Sequence, residues 1–236
     1  AEPVRAAARR ATGRSLAMTD PAVLADAVVA LIEPTSTWER WGGGRADFPA
    51  LAVRPDVAVA VAERLAAARS GRPHRALAVL LRRDGFDAFL PDLAATATTP
   101  AVRTMALKAL VDRRFTWRIG RERVWIDKRF GLCRSKPVFA ERPIAHDLAE
   151  RDLIERGLGD PSAAVRKVAA DALIAAGDRI DVLAPLVARL LADRNAAVFR
   201  RAFEQLHISN DDFIRTSEDR HKAAVQRIVE KLQANG

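Results

Sequence analysis

A short motif centred on a valine occurs three times in this chain, and each copy opens a stretch in which apolar residues recur at helical spacing. The copies are residues 99–103, 162–166 and 195–199, which align without gaps around Val102, Val165 and Val198. The spacing is 33 residues between the last two valines and 63 between the first two. Because each copy is preceded by another amphipathic stretch, the pattern predicts stacked pairs of helices with one long insert between the first two copies.

The helices predicted from this periodicity cover most of the chain. They span residues 21–32, 56–69, 74–82, 86–95, 147–158 and 180–191, and a terminal capping helix spans 217–233 with Val225 and Val229 on its buried side. Asp20 followed by Pro21, and Asp160 followed by Pro161, have the order typical of a helix start, with the cap before the proline. Residues 35–49, which contain two tryptophans and a run of glycines, are predicted to form a loop.

The second copy, with its preceding turn Asp160-Pro161-Ser162-Ala163-Ala164-Val165-Arg166, resembles the HEAT-like repeat proteins. The resemblance implies an all-α fold, a HEAT-like α-α superhelix (solenoid), with the insert either folded as a β-hairpin or ordered only on binding. It predicts one domain over residues 18–236 with the insert at 115–143, after a basic leader without fixed structure at 1–17. The basic residues at the repeat turns, Arg103 and Arg166 among them, are predicted to pair with the turn aspartate of the neighbouring unit.

The insert concentrates the charge of the chain. Residues 103–142 hold twelve Lys or Arg against four acids, a net charge of +8 out of the formal +9 of the whole protein. Arg and Lys neutralise phosphates and aromatic rings stack on bases, so this mixture is typical of a binding surface for an anionic partner. The predicted binding residues are Arg113, Arg114, Trp117, Arg118, Arg121, Arg123, Trp125, Lys128, Arg129, Arg134 and Lys136.

Three interpretations of the insert stay open from the sequence. The partner is a nucleic acid, or it is the acidic surface of a protein, or the arginines serve structure and pair with acids such as Asp147, Glu150 and Asp152. Within the insert, Ile119-Gly120-Arg121-Glu122 is predicted to be the hairpin turn.

Catalytic and metal-binding motifs are not found in the sequence. The four histidines lack metal-like spacing, and neither a phosphate-cradling glycine loop nor a nucleophile elbow occurs. Cys133 lies among basic residues, but a thiolate nucleophile needs a base, and His146 is near it only in sequence. The sequence therefore predicts no catalytic residue, no metal and no cofactor.

A second resemblance, in architecture, size, charge and tryptophan content, is to the HEAT-like alkylpurine DNA glycosylases. It implies a nucleotide contact by Trp117 or Trp125, and stabilisation of positive charge on the sugar by Asp112 or Asp127. The favoured function is nevertheless a non-enzymatic binding or scaffold protein that holds nucleic acid or an acidic protein surface. No apolar run reaches the roughly 20 residues of a membrane span, and a cytoplasmic location is expected.

Overall fold

The computed structural model describes residues 19–38, 54–176 and 183–198, together with Arg200 and eight positions between 219 and 230. In chain order the elements are α1 (Pro21–Trp38), α2 (Pro55–Ala67), α3 (Pro73–Leu80), a 3₁₀ turn (Asp87–Phe89), α4 (Leu90–Thr96), α5 (Pro100–Val111), β1 (Arg114–Asp127), β2 (Leu132–Pro143), α6 (Glu150–Leu158), α7 (Ala163–Ala176) and α8 (Leu183–Leu191).

Proline marks the start of several helices. α1, α2, α3 and α5 each begin with it, because proline lacks the N–H that the first helical position leaves unpaired, and its φ angle already suits a helix. The Asp20 carboxylate completes the start of α1, where Oδ1 accepts the Ala22 N–H at 2.7 Å. The Asp-Pro signal thus begins a helix at the predicted residue.

Successive helices pack as pairs: α1 with α2, α4 with α5, and α6 with α7, and α5 lies against α7 in the next pair. Their apolar sides form one core, which extends from Leu24 to Val198 and is built mostly of alanine, valine and leucine. Small residues bring the helices close together. Gly157 of α6 lies so near α7 that a Cβ there would be 2.7 Å from the Cβ of Ala169.

Two arginine–aspartate pairs join the turns of successive helix pairs. Arg103 of α5 donates from Nε to Oδ2 of Asp160 at 2.7 Å and from Nη2 to Oδ1 at 3.0 Å. Arg166 of α7 makes the same bidentate pair with Asp193, where Nη2 donates to Oδ1 at 3.1 Å. Each pair raises the pKa of its arginine, chiefly through the side-chain hydrogen bond to the aspartate. The predicted pairing of these arginines with the turn aspartate of the neighbouring unit is confirmed.

The prediction of an all-α fold is wrong. β1 and β2 form an antiparallel two-stranded sheet of 14 and 12 residues, which occupies the predicted insert. At a rise of about 3.4 Å per residue the hairpin is about 37 Å long. Such a strand pair is too long to be an incidental turn between helices, and it is the largest single departure from a stack of helices.

Other predictions differ in detail or fall outside the described residues. The helix predicted to end at residue 32 continues to Trp38. The loop predicted at residues 35–49 therefore begins later than expected, and residues 39–53 lie outside the described residues. The leader at 1–17 also lies outside them, and the division into leader and domain stays a prediction. Within 219–230 the described positions are helical, but Val225 and Val229 are each 44% exposed, so their predicted burial is wrong.

Among the described residues, no helix is long and apolar enough to cross a membrane.

Candidate nucleic-acid interface

The hairpin is held at its root by Arg142. Its guanidinium donates from Nε to the carbonyl oxygen of Leu81 at 2.6 Å and from Nη1 to Oδ2 of Asp87 at 2.9 Å, and it also pairs with Asp84. The side chain of Arg142 is only 10% exposed. Because a buried bidentate pair fixes both position and direction, Arg142 clamps the start of the hairpin onto the segment that follows α3.

A second set of contacts holds the root from the other side. Arg113, whose φ of 50° turns the chain from α5 into β1, donates from Nη1 to the carbonyl oxygen of His146 at 3.2 Å. His146 in turn is hydrogen-bonded through Nε2 to the carbonyl oxygen of Leu110 at 2.8 Å, and the Ile144 N–H donates to the oxygen of Arg113. These bonds tie the end of α5 to the strand that returns from the hairpin.

The pairing of the two strands decides which side chains share a face. Side chains opposite each other across a strand pair point to the same face, and successive residues alternate. β2 is regular, whereas β1 has two irregularities, between Arg118 and Gly120 and between Trp125 and Asp127, where Ile119 and Ile126 are extra residues. Each extra residue is a bulge, which shifts the alternation of β1 by one position.

One face of the hairpin, here called the arginine face, collects most of the unopposed charge. On β1 it carries Arg114, Thr116, Arg118, Arg121, Arg123 and Trp125, and opposite them on β2 lie Pro143, Glu141, Phe139, Pro137, Ser135 and Cys133. Four arginines therefore face one acid, Glu141. The Glu141 carboxylate lies 3.8 Å from the Arg114 guanidinium, and both side chains are exposed. The pair therefore neutralises little of the positive charge of this face.

The other face, here called the opposite face, is close to neutral. It carries Phe115, Trp117, Gly120, Glu122, Val124 and Asp127 on β1, and Arg142, Ala140, Val138, Lys136, Arg134 and Leu132 on β2. Lys136 lies directly opposite Glu122, and Arg142 is used in the root clamp. Phe115 and Trp117 stack on each other with ring centroids 6.0 Å apart, and Phe115 packs against the core.

Burial supports this assignment of faces. Near the root, Phe115, Trp117, Val138, Ala140 and Arg142 are all half-buried, whereas their neighbours on the arginine face are all exposed. The opposite face is thus turned toward the helices, and the arginine face is turned toward solvent.

The free arginines are concentrated in the outer half of the hairpin. Arg118 donates from Nε to the carbonyl oxygen of Gly120 at 3.2 Å. Among the described residues, neither the Arg121 nor the Arg123 side chain makes a hydrogen bond or an ion pair. Charges that are not neutralised by a neighbouring acid keep their full attraction for a polyanion.

The hairpin turn lies at residues 128–131, not at the predicted Ile119–Glu122 segment, and that prediction is wrong. Gly131 has a φ of 65°, a conformation that glycine adopts without strain, and the Asp127 carboxylate accepts the Arg129 N–H at 2.8 Å. The segment Ile119-Gly120 is instead the first bulge of β1. The tip carries Lys128 and Arg129 beside Phe130, and the Phe130 ring is open to solvent, with the residue 84% exposed.

The eleven predicted binding residues therefore divide into four groups. Arg114, Arg118, Arg121, Arg123 and Trp125 share the arginine face; Trp117, Arg134 and Lys136 lie on the opposite face; Lys128 and Arg129 lie in the turn; and Arg113 lies at the root. The prediction omitted Phe139, which lies opposite Arg118 and is 57% exposed, although its place in the basic segment was visible. The role of Arg142 depends on Asp87, which lies 55 residues away and gives no local signal.

The residues weighed for catalysis are separated or already engaged. Cys133 is exposed beside the tip of the hairpin, whereas His146 lies at the root, so no base is near the thiol. Asp112 pairs with Lys108, and Asp127 caps the turn. Within the parts of the chain that the structure describes, no three His, Cys, Asp or Glu side chains are grouped so that they could hold a metal.

A groove of about 590 Å³ opens between α5 and the first residues of β1. Its walls include Thr104 and Met105 of α5, Phe115 of β1 and Ala164 of α7. Its lining is mostly apolar.

Comparison with known proteins gives matches to one class of enzyme. A family model described as tRNA synthetases class I (M) matches residues 184–236. Over 48 residues, the chain is 58% identical to the methionine–tRNA ligase of Brucella suis, and this stretch covers 20% of the chain and 9% of that ligase. Over 44 residues, it is 52% identical to the methionine–tRNA ligase of Bacillus subtilis, and this stretch covers 19% of the chain and 7% of that ligase. The matches thus span less than a tenth of the length of these relatives, and no solved structure matches the chain.

These matches overturn the resemblance to HEAT-like repeat proteins and to HEAT-like DNA glycosylases. The third copy of the valine motif, at 195–199, lies inside the segment that the synthetase model matches. Alanine- and valine-rich helix starts recur because close helix packing favours them, so a similar motif does not establish common descent. The prediction of a non-enzymatic scaffold is wrong for the same reason, since the relatives that match are ligases.

The matched segment is joined to the rest of the fold. Asp193, which lies within it, forms the ion pair with Arg166 of α7, and Val198 is fully buried in the common core. Of the partners that the sequence left open, nucleic acid is consistent with these matches.

Proposed function

We propose that this chain acts on tRNA as part of a methionine–tRNA ligase-like enzyme, and that the basic hairpin holds the tRNA. The observation that carries the proposal is the match of residues 184–236 to the class I tRNA synthetase model, together with 58% identity to a methionine–tRNA ligase over 48 residues. Such an enzyme joins methionine to tRNA, and the cytoplasmic location expected from the sequence stays a prediction.

The hairpin supplies the kind of surface that a tRNA requires. Its residues 114–143 carry nine Lys or Arg against three acids. Nucleic acid binds such a surface because each neutralised phosphate releases counterions, and long-range attraction speeds the encounter. The root clamp at Arg142 keeps this charge at a fixed place relative to the helices, and the Arg166–Asp193 pair connects the helices to the matched segment.

The proposal assigns the tRNA contact to the basic hairpin and assigns no catalytic residue. The relatives match over 44 to 48 residues, which is too short to carry over a complete active site. Joining a carboxylate to a hydroxyl group in water requires an activated carboxylate, so the assay must provide a nucleoside triphosphate with methionine and tRNA.

The test has two arms on the purified chain. Binding of tRNA is measured by filter retention across a salt series, and charging is measured as incorporation of labelled methionine into tRNA in the presence of ATP. The matched variant replaces Arg118, Arg121, Arg123, Lys128 and Arg129 with serine.

We expect wild type to bind tRNA and to charge it with methionine. In the five-site variant, the slope of log affinity against log salt should become shallower by up to about 3.5, since each phosphate contact contributes about 0.7 on single strands. Binding without charging would reduce the function to tRNA binding alone, and failure to bind tRNA at low salt would refute the proposal.

A further inference from the structure

We propose that the arginine face binds unpaired RNA, with phosphates on Arg118, Arg121 and Arg123 and a base stacked on the ring of Phe139. This inference rests on the proposed function, because it names the part of a tRNA that the hairpin holds. It goes further by assigning binding to one face of the hairpin and excluding the other.

The bulge at Ile119 decides which arginines share a face. Under strict alternation, Arg121, Arg123 and Trp125 would point to the same side as Phe115 and Trp117, toward the helices. The extra residue at Ile119 shifts the alternation and places them beside Arg114 and Arg118 instead. The bulge therefore gathers four arginines on the solvent side from a sequence that alternation alone would have divided between two faces.

The two faces of the hairpin differ in charge. On the arginine face four arginines meet one acid, Glu141. On the opposite face, the outer cations Arg134 and Lys136 are equal in number to the acids Glu122 and Asp127, so that outer part has no net charge, and the root is turned toward the helices. A polyanion is therefore attracted strongly to the arginine face and only weakly to the opposite face.

Two exposed aromatic rings lie among the arginines of this face. Phe139, 57% exposed, lies directly opposite Arg118, and Trp125, 47% exposed, lies farther out on the same face opposite Cys133. The two are about 20 Å apart along the strands, at a rise of about 3.4 Å per residue. Exposed rings interleaved with arginines stack on bases whose faces are free, which is true of single strands and not of a duplex. The loops and ends of a tRNA present such bases.

The test compares two double variants that remove the same charge. Arg121→Ser/Arg123→Ser alters the arginine face, and Arg134→Ser/Lys136→Ser alters the opposite face. Each is titrated by fluorescence anisotropy with a labelled single-stranded RNA of about 12 nucleotides, within the site size of such surfaces. A duplex of the same sequence is titrated in parallel, and a tRNA is included with wild type.

We expect the arginine-face variant to lose about 25-fold in affinity at 0.1 M salt. Its slope of log affinity against log salt should be shallower by about 1.4, because two phosphate contacts are lost. The opposite-face variant should stay within about threefold of wild type, because the two acids of that face, Glu122 and Asp127, already balance the charge of its two outer cations. Phe139→Leu keeps an apolar side chain but removes the ring, and it should lose about 5- to 150-fold for the single strand. Binding of the duplex should be weaker than binding of the single strand.

Equal losses in the two double variants, with wild type still binding tRNA, would overturn the face assignment and leave the proposed function intact. Equal binding of duplex and single strand would overturn the preference for unpaired RNA. If wild type bound neither RNA, the partner of the arginine face would instead be the acidic surface of a protein. This inference would then fall together with the proposed function.

Discussion

Replacement of Asp160 by alanine should be among the most damaging single changes in the described part of the fold. The Asp160 carboxylate accepts two hydrogen bonds from Arg103, at 2.7 and 3.0 Å, and a third from the Ser162 N–H at 2.7 Å. The two side chains of the ion pair are only 11% and 10% exposed. Removal of the carboxylate leaves a guanidinium inside the structure without its counter-charge.

The expected cost follows from this geometry. Breaking a buried ion pair from one side costs about 3–5 kcal/mol. The Arg103 guanidinium keeps hydrogen bonds to the carbonyl oxygens of Ala97 and Thr98, at 2.7 and 3.2 Å, so we expect the lower end. A loss of about 3 kcal/mol lowers the melting temperature of a chain of this size by about 6–12 °C.

The assay is urea unfolding followed by circular dichroism, with the midpoint compared at constant slope. Lys108→Ala, which removes an exposed pair with Asp112, is the control and should cost about 0.5 kcal/mol or less. The pair raises the pKa of Arg103, so the stability that this group contributes is present below its unfolded pKa and is lost only as the pH rises through the raised value. Its contribution should therefore be constant between about pH 6 and pH 9.

A double-mutant cycle separates the pair from the rest of the site. Asp160→Ala combined with Arg103→Met removes both charges, and an apolar replacement of a buried pair is often close to neutral. We expect a coupling free energy of about 2 kcal/mol, so the double variant is more stable than the sum of the single losses predicts. A cost below about 1 kcal/mol for Asp160→Ala, or additive losses, would refute the argument that this pair joins the helix pairs.

Three further predictions concern the root, the helix contact and the turn. Arg142→Met should release the hairpin from Asp87, so hydrogen exchange should speed up in β1 and β2 while the helices keep their protection. Gly157→Ala should destabilise the fold by about 1–3 kcal/mol, seen as a lower melting temperature, because its Cβ would meet that of Ala169 at 2.7 Å. Gly131→Val, at a φ of 65°, should weaken the hairpin by about 1 kcal/mol or more without change in helix content by circular dichroism.

Much of the helical part of the fold follows from local signals in the sequence. Asp20 and Pro21 begin α1 as predicted, because a cap followed by proline acts within one turn and does not depend on distant residues. The pairing of Arg103 with Asp160 was predictable too, since the arginine after the repeat valine and the aspartate before it recur in successive turns, as Arg166 and Asp193 show.

The hairpin was harder to predict from the sequence, for two physical reasons. Its outer half is exposed on both faces, so no alternation of apolar and polar residues marked the strands, and the bulge at Ile119 disturbed what alternation there was. Gly120 suggested a turn, whereas the turn forms at Gly131, where the backbone needs a positive φ. The relation to tRNA ligases depends on the order of particular residues in one segment, which periodicity and composition do not register.

In the proposed complex, the hairpin holds tRNA on its arginine face. Ultraviolet cross-linking of wild-type protein to tRNA, followed by mass spectrometry of the attached peptides, tests it most directly. We expect cross-links at Phe139 and Trp125, and none at Trp117 on the opposite face. Cross-links confined to the helices or to residues 184–236, with none in the hairpin, would contradict the account.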